Sequence, residues 1–291
     1  MARKPPQVSF TVDDVDGETR LDKLLREKFP RWGRQAIGKL ISSRGVSVNG
    51  KTVWLASWKV SDGDRIEIAN PPADKPNAPT VFHDDWLVSQ ETNLIVVNKP
   101  SGLRSQATRA GGGDNLLSLA KNRFGEVRLF HRLDRDTSGL CLLTFPGPVN
   151  AYLDMAFKRR LVEKEYLAVV GSMGKLEKEG VISTPLMRHT RRSDMMQIAT
   201  RADRKGVQSA ETHYVVKGQV KGGWLVGLRP ATGRMHQLRV HLASMGAPIL
   251  GDRLYGGGEA RRLMLHANRL SLPEHGEFPK RVYEANPKDF D

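Results

Sequence analysis

Leu21, Leu24, Leu25 and Phe29 recur at helical spacing near the start of the chain, and Ile37, Leu40 and Ile41 do so again after a break at Pro30. This spacing predicts two short helices. Residues 46–53 then alternate polar and apolar around Asn49-Gly50, a tight-turn pair between strands, and 62–68 read as a turn running into a last strand. Between residues 69 and 80 the pattern disappears: four prolines and almost no large apolar side chain mark a linker. Beyond it, apolar strand-like runs fall at 94–98, 140–145, 166–171, 212–217, 223–228 and 237–242, with fewer helical stretches, at 113–124 and 147–160.

That succession predicts an α+β protein in two parts. The expected boundaries are an N-terminal tail at 1–18, a small α+β domain at 19–68, a proline-rich linker at 69–84, and a large domain at 85–291. Many separate strands, several joined by short polar turns, favour a mixed, largely antiparallel β-sheet in the large domain over a doubly wound parallel one.

Charge changes the picture. Forty-six Lys and Arg against 32 Asp and Glu give a net charge of +14, which points to a polyanionic partner. No apolar run approaches the roughly 18 residues of a membrane span and no lipidation motif is present, so nucleic acid is the expected partner rather than a membrane. Eight of the basic residues lie between Arg20 and Arg44, against two acidic ones, Asp22 and Glu27. The lone cysteine, Cys141, leaves no intrachain disulfide and no metal-spaced Cys/His cluster, and it is expected in a buried strand. The first residues lack the apolar stretch of a signal peptide, so a cytoplasmic protein is expected. Two glycine triplets, at 111–113 and 256–258, lack the Gly-Lys-Ser/Thr of a phosphate loop.

Candidate chemistry concentrates at 131–143, where the charged turn His131-Arg132-Leu133-Asp134-Arg135-Asp136-Thr137-Ser138-Gly139 feeds an apolar strand. A carboxylate beside two arginines on such a base can be aimed at a substrate. The same residues would also suit a surface hairpin, with Asp136, Thr137, Ser138 and Gly139 serving only turn geometry. His131, His236 and His241 lack metal-ligand spacing and are expected to hydrogen-bond.

The motif His-Arg-Leu-Asp-x-x-Thr-Ser-Gly resembles the signature of the RluA-type pseudouridine synthases, which isomerise uridine within RNA. Residues 95–103, 162–170 and 228–256 resemble three further blocks of that family, in the same order. The resemblance implies the family's fold, a reaction without cofactor or metal, and roles for particular residues. Asp134 would be the catalytic aspartate, acting as nucleophile or base. Tyr166 would stack on the flipped uracil with its hydroxyl near the proton lost from C5. Arg239 would pair with Asp134, and Arg132 and His131 would contact substrate. In the small domain, Arg-Leu-Asp-Lys-Leu-Leu, Val-Asn-Gly-Lys and Gly-Asp-Arg-Ile resemble an S4 RNA-binding module, which implies phosphate contacts by Arg20, Lys23, Arg34, Lys39 and Arg44.

The implied substrate is large-subunit ribosomal RNA, with transfer RNA the alternative. Two other readings are a catalytically silent ribosome-assembly factor and a nucleosidase. Met235 and the run Arg104-Ser105-Gln106 depart from the family pattern and are expected to bear on RNA choice. The arginine-rich stretch 188–205 is expected to be an RNA-contacting loop or hairpin or a solvated loop.

Overall fold

A computed structural model describes residues 7–13, 15, 17–29, 32–72, 80–107, 114–200 and 205–290. They fall into two compact units, within 1–77 and 78–291. Seven residues of the expected linker, 73–79, lie outside the described residues.

The small unit contains β1 (Gln7–Thr11), β2 (Thr19–Arg20), α1 (Leu21–Lys28), α2 (Arg34–Ser42), β3 (Val46–Val48), β4 (Lys51–Val53), β5 (Lys59–Val60) and β6 (Arg65–Ala69). Its helices form where the sequence pattern places them, because Leu21, Leu25, Ile37 and Ile41 face one core with Val46, Val53, Ile66 and Ile68. The expected tail needs correction: residues 7–11 are a strand antiparallel to β6, with Val8 and Phe10 packed against that core. A five-residue alternation ahead of an acidic stretch is too short to announce itself without its partner strand.

The large unit runs β7 (Leu87–Gln90), β8 (Leu94–Lys99), α3 (Leu116–Phe124), β9 (Arg128–Leu129), β10 (Ser138–Thr144), α4 (Val149–Lys158), β11 (Glu163–Val170), β12 (Glu179–Ile182), β13 (Leu186–Arg188), β14 (Met196–Ile198), β15 (Thr212–Val220), β16 (Gly223–Pro230), α5 (Gln237–Ser244), β17 (Leu265–Leu272) and β18 (Arg281–Glu284). The main sheet has the order β12-β15-β16-β11-β17-β10-β8-β7, with β18 on β17 and β9 on β10. Its pairings are antiparallel except for β10 with β17, so the expected mixed, largely antiparallel sheet is found.

Every residue of β10 is buried, which explains its unbroken apolar run. One face, with Cys141 and Leu143, packs with α3; the other, with Leu140 and Leu142, packs with α4. Gly139 adopts φ +115°, and a Cβ there would lie 2.3 Å from the Ala267 carbonyl oxygen. Only glycine lets β10 lie against β17 at the point where the charged turn enters the sheet.

The expected strand at 237–242 is instead the helix α5. Gln237, Arg239 and His241 alternate with Leu238, Val240 and Leu242, which reads as period two, yet all six are buried. The polar three have partners inside the protein: Gln237 bonds Thr232 and Thr212, Arg239 bonds Asp252, and His241 bonds Thr212 and the Thr184 carbonyl. Alternation marks a strand only when one face meets water.

Candidate active site

The turn at 131–137 is stitched to the turn that follows β8. Lys99, fully buried, donates from Nζ to the carbonyls of Pro100 (2.8 Å), Leu103 (2.7 Å) and Arg135 (3.1 Å), and burial pushes its pKa down to about 8. Ser101 Oγ donates to the Asp136 carbonyl at 2.6 Å, and the Gly102 N–H donates to the Arg135 carbonyl at 2.9 Å. Ser105 Oγ both donates to the Leu133 carbonyl (2.8 Å) and accepts from the Leu133 N–H (3.0 Å). Ser105, one of the residues that depart from the family pattern, is thus a buried stitch. With both neighbours pinned through their backbones, the Asp134 side chain projects from a fixed base.

Asp134 is half-buried, and its Oδ2 lies 3.8 Å from Arg239 Nη1 and 3.8 Å from His236 Nε2. Arg239, 5% exposed, does not spend its main hydrogen bonds there. Its Nε and Nη2 donate to the two carboxylate oxygens of Asp252, each at 2.7 Å, and the Asp252 side chain is fully buried. Asp252 also accepts from the N–H groups of Leu254 and Tyr255. Burial works against the Arg239 charge, but the Asp252 carboxylate more than restores it, so its pKa is raised. A planar guanidinium held along one edge by two bonds to one carboxylate has its remaining Nη1 directed toward the next one.

His236 caps the start of α5 in a left-handed conformation, φ 54°. Tyr255 Oη accepts the Met196 N–H at 2.9 Å and lies 2.9 Å from His236 Nδ1. The Tyr255 hydroxyl can donate to Nδ1 while accepting from Met196, and the Asp134 carboxylate facing Nε2 favours the tautomer with the ring proton there. Burial lowers the His236 pKa, Arg239 adds to the effect, and Asp134 opposes it, so the ring is held neutral. The Tyr255 ring also carries the Arg239 guanidinium, 5.1 Å from its centre.

Tyr166 sits on β11 at a break in register with β17, between Glu165 and Tyr166. Burial raises its phenol pKa, and Cys141 and Asp134 push the same way, so it stays a phenol. His131 accepts the Leu142 N–H at Nε2 (3.2 Å) and stacks on Phe157, and burial next to Lys164 lowers its pKa to about 3. It is a neutral ring. Arg132 is exposed and has no ion pair among the described residues. These residues, with Asp134, His236 and Arg239, line one cavity of about 460 Å³. Thr137 lines it too, and its buried hydroxyl has no hydrogen-bond partner among the described residues.

The cations assigned to RNA in the small unit have a different setting. Arg20, 53% exposed in its side chain, pairs with Asp22, and Lys23 lies 3.9 Å from Glu27. Lys39 is exposed and Arg44, at φ 63°, lies over Trp54. The Arg34 backbone opens α2; its side chain lies outside the described residues. The arginine-rich stretch forms a hairpin, β13–β14, with Arg192 paired to Asp194; Arg201 and Arg204 lie outside the described residues.

Sequence reasoning missed Asp252, Tyr255 and Lys99 as site residues and gave His236 no role at the site. All four stand inside the blocks that carry the family resemblance, so position was available and pairing was not. No described helix is long and apolar enough to cross a membrane, and no three His, Cys, Asp or Glu side chains gather around a possible metal position among the described residues.

A largely antiparallel sheet carrying an aspartate on a pinned turn before a buried arginine has the parts of an enzyme that works through a carboxylate. The RNA pseudouridylate synthase family matches over residues 93–244 and the S4 domain over 19–66. The chain belongs to the RNA pseudouridylate synthase family, which carries out the isomerisation of uridine to pseudouridine in RNA. It is 34% identical over 278 residues to "Ribosomal large subunit pseudouridine synthase C" of Rickettsia bellii (strain RML369-C), covering 87% of this chain and 89% of that protein. It is 31% identical over 258 residues to "Ribosomal large subunit pseudouridine synthase D" of Yersinia pestis, covering 86% and 77%. Among solved structures, "Human RNA Pseudouridylate Synthase Domain Containing 1" aligns with a TM-score of 0.59 at 29% identity, covering 69% of this chain and 82% of that one. The expected family and fold are therefore found.

Proposed function

We propose that this chain isomerises uridine in large-subunit ribosomal RNA, with Asp134 as the group that begins the reaction. The observation that carries the assignment is the fixed geometry around that carboxylate: its turn is pinned by Lys99, Ser101 and Ser105, and a buried Arg239 held by Asp252 faces it at 3.8 Å. The fixed positive charge faces the carboxylate that attacks the sugar or base, or accepts a proton. Tyr166 supplies a ring on which the extruded uracil stacks. Because its phenol pKa is raised, its hydroxyl acts by hydrogen bonding or by passing a proton on, rather than as a standing phenolate. Arg132, exposed at the cavity, fills the gap that the nucleotide leaves in its stack. His131 shapes the cavity wall as a neutral ring.

The small unit grips phosphates through Arg20, Lys23, Arg34, Lys39 and Arg44 and adds affinity more than sequence choice. The ribosomal substrate is supported by the names of the relatives, and a cytoplasmic location with the large-subunit RNA belongs to the same reading.

Product analysis with wild type and Asp134→Asn tests this. Wild type should convert uridine without change of mass or release of uracil, and the variant should bind RNA normally while turnover falls at least roughly a thousandfold. Free uracil would identify a nucleosidase, and binding with no conversion by wild type would identify a silent factor.

A further inference from the structure

A second cavity, of about 360 Å³, adjoins the one around Asp134 and shares Lys164, Pro230, Thr232, Gly233 and Arg234 with it. Its charge is one-sided. Arg160, Lys164, Arg229 and Arg234 line it, with Glu163 as the one carboxylate in its wall among the described residues. Arg229 is tied to Glu165 at 3.0 Å and Arg234 donates to the Ser209 carbonyl. Arg160 and Lys164 have no ion pair or side-chain hydrogen bond among the described residues.

Each of those two is held at a cost. Lys164 is half-buried, and burial lowers its pKa with no carboxylate to offset it. Arg160 follows α4 in a left-handed conformation, φ 60°. Its N–H bonds the Phe157 carbonyl and the Leu161 N–H bonds the Ala156 carbonyl, a helix end that usually carries glycine at the left-handed position. An arginine there sacrifices backbone ease to put a guanidinium on the cavity wall.

We propose that this cavity is a phosphodiester subsite: Lys164 and Arg160 hold a backbone phosphate next to the uridine that enters the Asp134 cavity. The proposal rests on the RNA reading above and deepens it. Two unpaired cations beside a cavity continuous with the site match an anion joined to the substrate nucleotide. A phosphate supplies the acceptor oxygens that Lys164 lacks and turns the strained Arg160 into a charge-assisted donor. Fixing the phosphate beside the target would add affinity for RNA at the mouth of the site.

The test uses the full chain, with Arg160→Gly and Lys164→Met, and large-subunit ribosomal RNA extracted from cells that lack the gene as the probe. Binding is measured from about 50 to 200 mM salt, and pseudouridine formation is followed in the same samples. Each variant should flatten the slope of log affinity against log salt, and the double variant should flatten it by about 0.7, the value for one phosphate on a single strand. Affinity at the low-salt end should fall roughly tenfold while turnover at saturating RNA stays within about twofold. Arg160→Gly should melt no lower than wild type, since glycine suits its backbone, which keeps a binding loss from being a folding loss. Unchanged slopes in folded variants would overturn the subsite, as would a loss confined to turnover. Failure of wild type to form pseudouridine would instead overturn the assignment to Asp134, whatever the slopes.

Discussion

The same types of charged residue do different work in the two units. In the small unit Arg20 and Asp22 pair at 2.9 Å with the arginine half in solvent, and Lys23 and Glu27 meet at 3.9 Å with both side chains more than 60% exposed. In the large unit Arg239 and Asp252 pair twice at 2.7 Å, and both are buried. Water and salt weaken the first kind of pair until it contributes little to stability, which leaves the cations free to exchange partners with phosphates. Burial makes the second kind rigid and expensive to break, so the spare face of Arg239 stays aimed at Asp134. Exposed charge attracts the polyanion; buried charge orients the chemistry.

The sharpest way to break this contrast is to neutralise one carboxylate of each kind. Asp252→Asn should destabilise the large unit by about 3 kcal/mol, since it leaves a buried guanidinium without its counter-charge. It should also impair turnover by freeing Arg239 from its orientation. Glu27→Gln, in a pair with both side chains more than 60% exposed, should cost less than about 1 kcal/mol. Urea unfolding of both variants is the check, and equal costs would mean that burial of the Arg239 pair carries no special weight.

A smaller effect is expected at Tyr255. Tyr255→Phe keeps the ring beneath Arg239 and removes the hydroxyl that can donate to His236 Nδ1. Turnover should fall roughly tenfold with little change in RNA affinity. Nitrogen NMR of the imidazole should show the Nε2–H form in wild type and a mixture in the variant. An unchanged tautomer would remove Tyr255 from the description of the site.

A different kind of effect concerns acid. Burial lowers His131 to about 3 and His266 to about 4, whereas unfolded histidine titrates near 6.5. Below about pH 6.5 the unfolded chain takes up protons that the native rings refuse, so their contribution to stability is complete above that pH. It is lost as the pH falls toward 4 and then 3. The first 77 residues contain no histidine, so this sensitivity belongs to the large unit. Urea unfolding between pH 7 and 4 should show His131→Asn with a flatter pH dependence than wild type; parallel curves would contradict the neutral, buried assignment of His131.

What the sequence disclosed follows from how local each signal is. The turn at 131–137 and the strands β8 and β10 were legible because a run of charges meets an unbroken apolar strand. The small unit's helices were legible because one face of each meets water. The helix α5 was misread because its polar positions are satisfied inside the protein, by Asp252, Thr212, Thr232 and Thr184. Arg239 was placed at the site, but its principal partner was taken to be Asp134; the bidentate bond to Asp252 joins residues 13 apart through a loop that no periodicity describes. Lys99 reads as the last residue of a strand, and only the fold brings it to the Arg135 carbonyl, 36 residues on.

The most direct test of the central claim is to map pseudouridines across large-subunit and transfer RNA in cells lacking the gene, complemented with wild type, Asp134→Asn or Asp136→Asn. Asp136 is the control because its carboxylate is taken up by Arg135, which donates to both oxygens at 2.8 Å. The account predicts that a site or sites in large-subunit RNA vanish with the gene, return with wild type and Asp136→Asn, and stay absent with Asp134→Asn. Restoration by Asp134→Asn, or a loss confined to transfer RNA, would contradict it.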